Sequence, residues 1–276
     1  CGETFAVHDL PYGFQGAVPE PLSRHFVQLC RDEATDEFLV ECLSGNQLCT
    51  FAKDCVAGLL RRRMSLTDAN GLLGRGRMFV LSTEHARQLL GDRSGGLLLD
   101  IGAGDGGVTS RLAPLFDSVL AVETSAPMVR RLRQQGYTAF AGPGFDGLED
   151  AARESGISLH AGGTVDCVAL LNVLDRCERP ISLLKESRRK LRPDTGRLLI
   201  AVVLPFRPFV ERGARRVQPL ERLPLDPNAT WATSITQLWD LVLQPIGFEL
   251  AAVARVPYLS GGDVTTAVYA LDDAVF

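Results

Sequence analysis

The chain has 276 residues, of which 46% are hydrophobic and 22% charged, and its 29 basic and 33 acidic residues give a formal net charge of −4. This composition is that of an ordinary globular protein, so it excludes collagen-like, coiled-coil and largely disordered proteins. Without a basic excess, nucleic acid is not expected as a partner. The seven Cys form no CxxC pair and the four His no close pair. We therefore predict neither a disulfide framework nor a metal site.

The longest apolar run, Leu198–Leu204, is far shorter than the roughly 20 residues that span a bilayer. It predicts a buried strand and no transmembrane segment. Because the chain begins at Cys1 rather than Met, the lack of an N-terminal signal predicts nothing about the compartment. We expect the protein to be a monomer.

Residues 1–95 have the mixed periodicity of short helices. Apolar residues recur at helical spacing from Phe26 and again from Cys55. Ser82 is typical of an N-cap before a helix that continues to Leu90. We expect this segment to be a mostly helical extension that packs on the core and walls a substrate groove. Its run of three arginines, at positions 61–63, is expected to be a solvated face.

From residue 96 onward, strand patterns alternate with helix patterns. The predicted strands are Leu97–Ile101, Val119–Val122, Ala139–Ala141, Val165–Leu171, Leu198–Leu204, Glu249–Val256 and Val264–Leu271. The predicted helices are Val108–Leu115, Ala126–Gln135, Leu148–Glu154, Ile181–Leu191 and Ile235–Leu243. This alternation predicts an α/β domain over residues 96–276, with a doubly wound, mostly parallel sheet and an antiparallel hairpin at one edge. Five prolines keep the segment 205–231 from being a long helix, and it is a second candidate wall of the groove.

The strongest local signal is LLLDIGAGDGGVT at Leu97–Thr109. A buried strand carries Asp100, and Gly102 and Gly104 follow it closely. Glycine lets the backbone turn tightly and approach a ligand at the carboxyl end of a strand. Glu123 closes the next predicted strand, where a carboxylate can accept hydrogen bonds from both hydroxyls of a ribose. The pattern predicts a nucleoside-containing cofactor.

Two classes of cofactor compete for this turn. A dinucleotide site requires G-x-G-x-x-G, with the pyrophosphate at the helix N-terminus. Here the run is G-x-G-x-G beside Asp100 and Asp105, and carboxylates next to a pyrophosphate repel it by several kcal/mol at low dielectric. The same acids favour a ligand that carries an ammonium and a sulfonium group, which is S-adenosylmethionine (SAM). A glycine-rich turn without a ligand is the structural alternative.

Five separated segments indicate which protein family the sequence resembles. They are GLLGRGRMFV at Gly71–Val80, LLNVLDRCERP at Leu170–Pro180, LPFRPFVE at Leu204–Glu211, VPYLSGGD at Val256–Asp263 and YALDDAVF at Tyr269–Phe276. In this order they resemble the DREV family, the protein-L-histidine N-pros-methyltransferases, over residues 70–276. The resemblance implies a Rossmann-like class I methyltransferase fold with seven strands, SAM as donor and S-adenosylhomocysteine as product. It also implies proteins or peptides with His-x-His motifs as substrates.

The resemblance also implies roles for individual residues. Asn172 and Asp175 match the asparagine and aspartate that hold the target imidazole, and Tyr258 and Tyr269 match aromatic positions near the same pocket. With the glycine turn, the expected cofactor-binding residues are Asp100, Gly102, Ala103, Gly104, Glu123, Thr124 and Asn172. The structural alternatives are a helix cap or a surface acid for Asp175, a turn residue at Asn172 and core packing for both tyrosines.

Asp175 suits the chemistry that the resemblance implies. A neutral imidazole, with a pKa near 6.5, is already a nucleophile at pH 7, so the enzyme must mainly select one ring nitrogen. A carboxylate that accepts the Nε2–H leaves the Nδ1 (pros) lone pair free for the methyl group. Two other functions stay open at this point: methylation of a small molecule or another protein side chain, and a catalytically silent SAM-binding scaffold.

Overall fold

The structure, a computed structural model, describes residues 9–14, 18–44, 47–91, 95–263 and 265–276. Within these ranges the helices are α1 (Glu33–Leu43), α2 (Gln47–Leu60), α3 (Leu66–Leu73), α4 (Thr83–Leu90), α5 (Thr109–Leu112), α6 (Ala126–Gln134), α7 (Leu148–Glu154), α8 (Pro180–Lys190), α9 (Trp231–Leu238) and α10 (Gln244–Ile246). The α9 helix continues into α10 through a π-helical turn. The described helices include none that is both long and apolar enough to span a bilayer.

The strands form one large sheet and a separate hairpin. They are β1 (Met78–Phe79), β2 (Leu97–Ile101), β3 (Ser118–Glu123), β4 (Thr138–Ala141), β5 (Cys167–Leu171), β6 (Arg197–Val203), β7 (Val210–Arg212), β8 (Arg215–Val217), β9 (Ala254–Gly261) and β10 (Val268–Val275). The sheet order is β1-β9-β10-β6-β5-β2-β3-β4, with β2 to β6 parallel and β10 antiparallel to β6 and β9. The predicted doubly wound fold with an antiparallel hairpin toward one edge is therefore confirmed.

The sheet has one strand more than the expected seven. The extra strand is β1, which pairs with the outer side of the hairpin through Met78 and Ser260. Phe79 beside it is fully buried and packs with Phe38 and Leu259. The segment before β2 therefore shares a hydrophobic core with the edge of the sheet.

Side chains of the central strand enter cores on both faces of the sheet. In β2, Leu99 and Ile101 belong to the core that includes residues of α8 and α9, whereas Leu98 belongs to the core that includes residues of α4 and α5. Successive residues of a strand point to opposite faces, so a strand buried on both faces needs a continuous apolar run. This is why the central strands lie close to where the sequence predicts them.

The hairpin lies several residues further along the chain than predicted. The sequence predicts strands at Glu249–Val256 and Val264–Leu271, but β9 and β10 begin at Ala254 and Val268. Val253 is paired with the N-terminal segment, since its N–H donates to the His25 carbonyl. The Ser-Gly-Gly-Asp sequence at positions 260–263, which is typical of a turn, begins inside β9, because Ser260 and Gly261 are the last two residues of that strand. Position 264 itself is outside the described residues.

The segment 205–231 also contains more structure than its prolines indicate. It is not helical in its first part, as predicted, but β7 and β8 form a short antiparallel hairpin there. Glu211 on β7 is opposite Arg216 on β8. This hairpin lies beside the carboxyl end of β5, because the Phe209 N–H donates to the Asp175 carbonyl at 2.9 Å.

Candidate active site

The candidate site lies where the chain reverses its direction of winding across the sheet. From β2 the chain proceeds to β3 and β4 on one side, and then returns to β5 and β6 on the other. In open α/β sheets such a switch point leaves a crevice at the carboxyl ends of the strands. Asp100, Glu123 and Asn172 lie at the ends of β2, β3 and β5, so three sequence-predicted residues border this crevice.

The turn after β2 needs its glycines. Gly102 and Gly104 adopt positive φ values of 79° and 56°, which most L-residues avoid. A Cβ at Gly102 would lie 2.5 Å from Cγ2 of Val173, and one at Gly104 would lie 3.2 Å from Cε of Met78. The N–H groups of Gly102 and Ala103 both donate to the Val122 carbonyl, at 2.8 and 3.1 Å. The turn is therefore tied to β3, a side chain at Gly102 would collide with Val173, and the positive φ disfavours a substitution at either glycine.

Asp100, on β2 just before this turn, carries a buried carboxyl group. Its Oδ2 accepts a 2.6 Å hydrogen bond from the Thr109 hydroxyl at the start of α5. Burial raises the pKa of Asp100 from 3.8 to about 6, with a smaller contribution from the negative charge of Glu123. A cationic ligand nearby would favour the ionised form and lower this pKa again.

Glu123 is held in one orientation by the glycine turn and the start of α6. Its Oε2 accepts from the Gly104 N–H at 3.0 Å. Its Oε1 accepts from the Ser125 N–H at 2.9 Å and from the Thr124 hydroxyl at 3.1 Å. Fixing the carboxylate in advance reduces the entropy lost when it binds hydroxyl groups.

A second group of polar residues follows β5. Asn172 has a positive φ of 58°, a conformation that asparagine tolerates better than most residues. Its Nδ2 donates to Oδ2 of Asp273 at 2.8 Å. Asp273 is fully buried on β10, and burial raises its pKa well above the usual range, with Asp175 and Asp272 adding to the shift. Sequence reasoning missed Asp273, although two successive acids in the apolar run of β10 were a visible signal.

Asp175 is also buried, and its Oδ2 pairs with the Arg176 guanidinium at 2.5 Å. Burial raises the pKa of Asp175, while Arg176 opposes the shift. The helix-cap alternative is wrong for this residue, because the N-cap of α8 is Arg179. Asp175 is thus a buried carboxyl with no capping role.

Three buried oxygens of this group have no hydrogen-bond partner among the described residues: Oδ1 of Asn172, of Asp175 and of Asp273. Unpaired buried polar atoms are rare in native proteins, because each costs roughly 1–3 kcal/mol. Their concentration at one strand end indicates a place where an external molecule supplies donors.

The two predicted tyrosines lie in different surroundings. Tyr258 is half-buried, and its hydroxyl donates to the Met78 sulfur at 2.7 Å. Burial raises its pKa, and Asp273, Asp175 and Asp105 add to the shift, so it lies beside the acidic group. Tyr269 is partly exposed, and its hydroxyl donates to Asp263 Oδ2 at 2.9 Å. Tyr258 is thus linked through Met78 to the glycine turn, whereas the hydrogen bond of Tyr269 is to Asp263.

The N-terminal segment closes one side of the crevice. On α3, Oδ1 of Asp68 accepts from the Ser125 hydroxyl at 2.7 Å, next to Glu123. Met78 on β1 lies between Gly104 and Tyr258, as its contacts with both show. On the opposite side, the Arg176 guanidinium stacks on the Phe209 ring at 3.9 Å. Both segments predicted as walls therefore contact residues of the candidate site.

The residues around the crevice fit SAM. Asp100 and Asp105 are buried acids that suit its positive groups, and Glu123 suits ribose hydroxyls. The glycine turn gives the close backbone approach that a bound nucleoside needs. No group of three His, Cys, Asp or Glu in the described ranges is arranged to hold a metal ion.

Comparisons with known proteins give the family. The family model described as DREV methyltransferase matches residues 12–276. Among solved structures, the DhpI–SAH complex is 17% identical, with a TM-score of 0.41, and the alignment covers 81% of this chain and 96% of the other. A SAM-dependent methyltransferase from Aquifex aeolicus is 15% identical, with a TM-score of 0.39 and coverages of 70% and 89%.

Other matches are shorter. The YcgJ protein from Bacillus subtilis is 19% identical, with a TM-score of 0.34, and the alignment covers 44% of this chain and 50% of that one. Across four such structures, this chain covers between 42% and 59% of the matched protein. The family model, by contrast, spans nearly the whole sequence. The chain therefore belongs to the DREV methyltransferase family, with SAM as its cofactor.

Proposed function

We propose that this protein methylates the Nδ1 (pros) nitrogen of histidine within His-x-His motifs of proteins or peptides. The single observation that supports the proposal is that Oδ1 of Asp175, near the carboxyl end of β5, is buried and has no hydrogen-bond partner among the described residues. An unpaired carboxylate oxygen in a desolvated site is a strong acceptor for one N–H group. An imidazole has one such N–H in its neutral form, and its other nitrogen is the nucleophile.

SAM supplies a methyl group on a positively charged sulfur, and the acids of the glycine turn favour that charge. The protein's own contribution is to orient the acceptor. Asp175 accepts the Nε2–H of the ring, which fixes the tautomer and presents the Nδ1 lone pair. When Nδ1 gains the methyl group, the ring becomes a cation, and the Asp175 carboxylate stabilises it. The raised pKa of Asp175 also suits it to take up the Nε2 proton as the product becomes neutral.

Asn172 has a supporting role in this proposal. One N–H of its amide donates to Asp273, which fixes the side chain and leaves the unpaired Oδ1 available as an acceptor. An amide oxygen accepts from N–H groups without adding charge. Asn172 therefore helps to orient the acceptor or the methionine part of SAM by accepting a hydrogen bond.

The proposal is tested with SAM and a peptide that contains Ala-His-x-His. Isothermal titration measures SAM binding, mass spectrometry measures methyl incorporation, and chromatography of the hydrolysed peptide distinguishes Nδ1- from Nε2-methylhistidine. We expect Nδ1-methylhistidine. Asp175→Asn should lower turnover by roughly 100-fold or more, because the amide cannot stabilise the imidazolium, while SAM affinity stays nearly unchanged.

Both alternative functions predict a result that differs from that of the proposal, namely SAM binding without methylation of the peptide histidine. A small-molecule methyltransferase binds SAM but leaves the peptide unmodified. A silent scaffold binds SAM and modifies nothing. Formation of Nε2-methylhistidine, or wild-type turnover by Asp175→Asn, would contradict the proposed role of Asp175 and leave the family assignment intact.

A further inference from the structure

We propose that a cleft of four arginines beside the candidate site, here called the arginine cleft, binds acidic residues of the protein substrate next to its target histidine. This inference rests on the proposed function and adds a specificity element to it. The cleft has a volume of about 270 Å³ and lies between the end of α2 and the β7–β8 hairpin. Its cationic lining residues are Arg61, Arg62, Arg215 and Arg216.

The two walls of the cleft bring like charges together. Arg61 and Arg62 follow the last residue of α2, where the helix dipole favours cations. That effect does not explain Arg215 and Arg216, which line the same cleft from β8 on a different element. Like charges across a gap repel each other, so the arrangement is most favourable when an anion lies between them.

The arginines are available for an external anion. All four are exposed, and none forms an ion pair with a carboxylate in the part of the chain that the structure describes. Glu211 is the acidic residue of the cleft lining, but its Oε2 accepts from the N–H and the hydroxyl of Thr67, at 3.2 and 3.1 Å. This carboxylate therefore ties the hairpin to α3, the helix that follows the α2 wall.

A direct line of contacts connects the cleft to Asp175. The Phe209 N–H donates to the Asp175 carbonyl, and Arg176, the ion-pair partner of Asp175, stacks on the Phe209 ring. Arg216 stacks on the same ring, at 4.1 Å from its centre. Arg216 is opposite Glu211, two residues along the chain from Phe209. At about 3.3 Å per residue, the cleft begins roughly two to four extended residues from the backbone of Asp175.

This short distance favours a peptide over a nucleic acid as the occupant. An extended peptide with its histidine beside Asp175 would place a residue about two to four positions away in the cleft. The cleft volume suits one or two carboxylate side chains rather than a polyphosphate strand. The net charge of −4 also opposes binding of a long polyanion. The two contacts together would fix the register of the substrate peptide. Its histidine would bind at Asp175, and its acidic residue would bind in the arginine cleft.

The test compares three labelled peptides that share one His-x-His motif. One has neutral flanks, one has two Glu about three residues from the motif on either side, and one has the same Glu pair moved about ten residues away. Fluorescence anisotropy measures binding, and mass spectrometry measures KM and kcat. For the native protein we expect the nearby Glu pair to lower Kd and KM by about five- to tenfold, with a smaller advantage at high salt.

The variants are Arg215→Glu and Arg61→Glu, one on each wall, so that a folding defect in one leaves the other informative. Each variant should abolish the advantage of the nearby Glu pair, so that the peptide with this pair and the peptide with neutral flanks bind with equal Kd values. The matched control is Arg189→Glu, an equal charge change at the C-terminal end of α8, which should keep the full advantage.

Equal Kd values for neutral and acidic peptides in the native protein would overturn the proposal, as would an advantage that persists in both cleft variants. Tighter, cleft-dependent binding of a single-stranded RNA of similar length would also overturn it. Because binding is measured separately from turnover, the two proposals fail separately. Cleft-dependent binding without methylation would refute the histidine proposal and support the cleft.

Discussion

At the scale of single residues, the pair Asn172–Asp273 shows what sequence reasoning reaches and what it does not. The position of an asparagine at the end of a predicted strand marked it as a candidate site residue. Its partner lies 101 residues later, and no spacing rule connects the two. The hydrogen bond exists because β10 is inserted beside β6, so that Asp273 pairs with Val203 near the end of the parallel strands.

Replacement of Asp273 should separate its two properties, charge and hydrogen bonding. Because burial keeps its pKa far above the usual range, its neutral form is favoured. Asp273→Asn preserves a neutral acceptor for Nδ2 of Asn172, and we expect it to keep most of the turnover. Asp273→Leu leaves that nitrogen unpaired, and we expect kcat to fall by about tenfold or more. Steady-state kinetics with titration of SAM binding measures both; equal kcat values for native protein and Asp273→Leu would refute this role.

At the scale of elements, the central strands were predictable to within one or two residues, whereas the edge elements were not. Strands β2, β3 and β5 are mostly apolar runs bounded by glycine or polar turns, so the local sequence determines where they begin and end. The limits of β9 depend on which residues find a partner, and Val253 finds one in the N-terminal segment. The two-residue β1 and the β7–β8 hairpin are too short for periodicity to detect.

The N-terminal helices were predicted as a wall, and α3 gives that idea a specific contact. Its Asp68 accepts from the hydroxyl of Ser125, whose own N–H donates to Glu123. Asp68→Ala removes this support, so the Glu123 carboxylate becomes less well fixed. We expect the Kd for SAM to rise by about tenfold, the equivalent of one hydrogen bond of about 1.4 kcal/mol.

The matched control for Asp68 is Asp68→Asn, whose amide oxygen can still accept from Ser125. It should bind SAM nearly as tightly as the native protein in the same titration. If Asp68→Ala also binds SAM normally, α3 does not support the cofactor site. If both variants lose affinity, the charge of Asp68 matters and the hydrogen bond does not.

At the scale of the whole molecule, the fold brings several buried acids together near the carboxyl ends of the parallel strands. Burial raises the pKa values of Asp100, Asp175 and Asp273. Such groups are more easily ionised in the unfolded chain than in the native protein. Their ionisation therefore destabilises the ligand-free fold as the pH rises, and positive ligands offset that cost. The sequence gives the positions of these acids, but their burial depends on the assembled sheet.

The effect of a buried acid on stability and on ligand binding can be measured at Asp100, because its pKa rises from 3.8 to about 6 on folding. Between those values the native state binds more protons than the unfolded state, so the free energy of unfolding decreases as the pH rises through this window, by about 3 kcal/mol in total. Asp100→Asn removes this dependence. At about pH 8 it should raise the Tm of the ligand-free protein by several degrees, and at about pH 4 the two Tm values should converge.

The same substitution should weaken SAM binding by about tenfold or more at about pH 8, because the positive ligand loses a buried anionic partner. Thermal unfolding across pH and titration with SAM measure the two effects on one pair of proteins. Asp240→Asn, at an exposed position on the π-helical turn, is the control and should change neither. An Asp100→Asn protein that is less stable at high pH, or that binds SAM as tightly as the native protein, would show that Asp100 is a structural acid rather than a partner of the cofactor's positive charge.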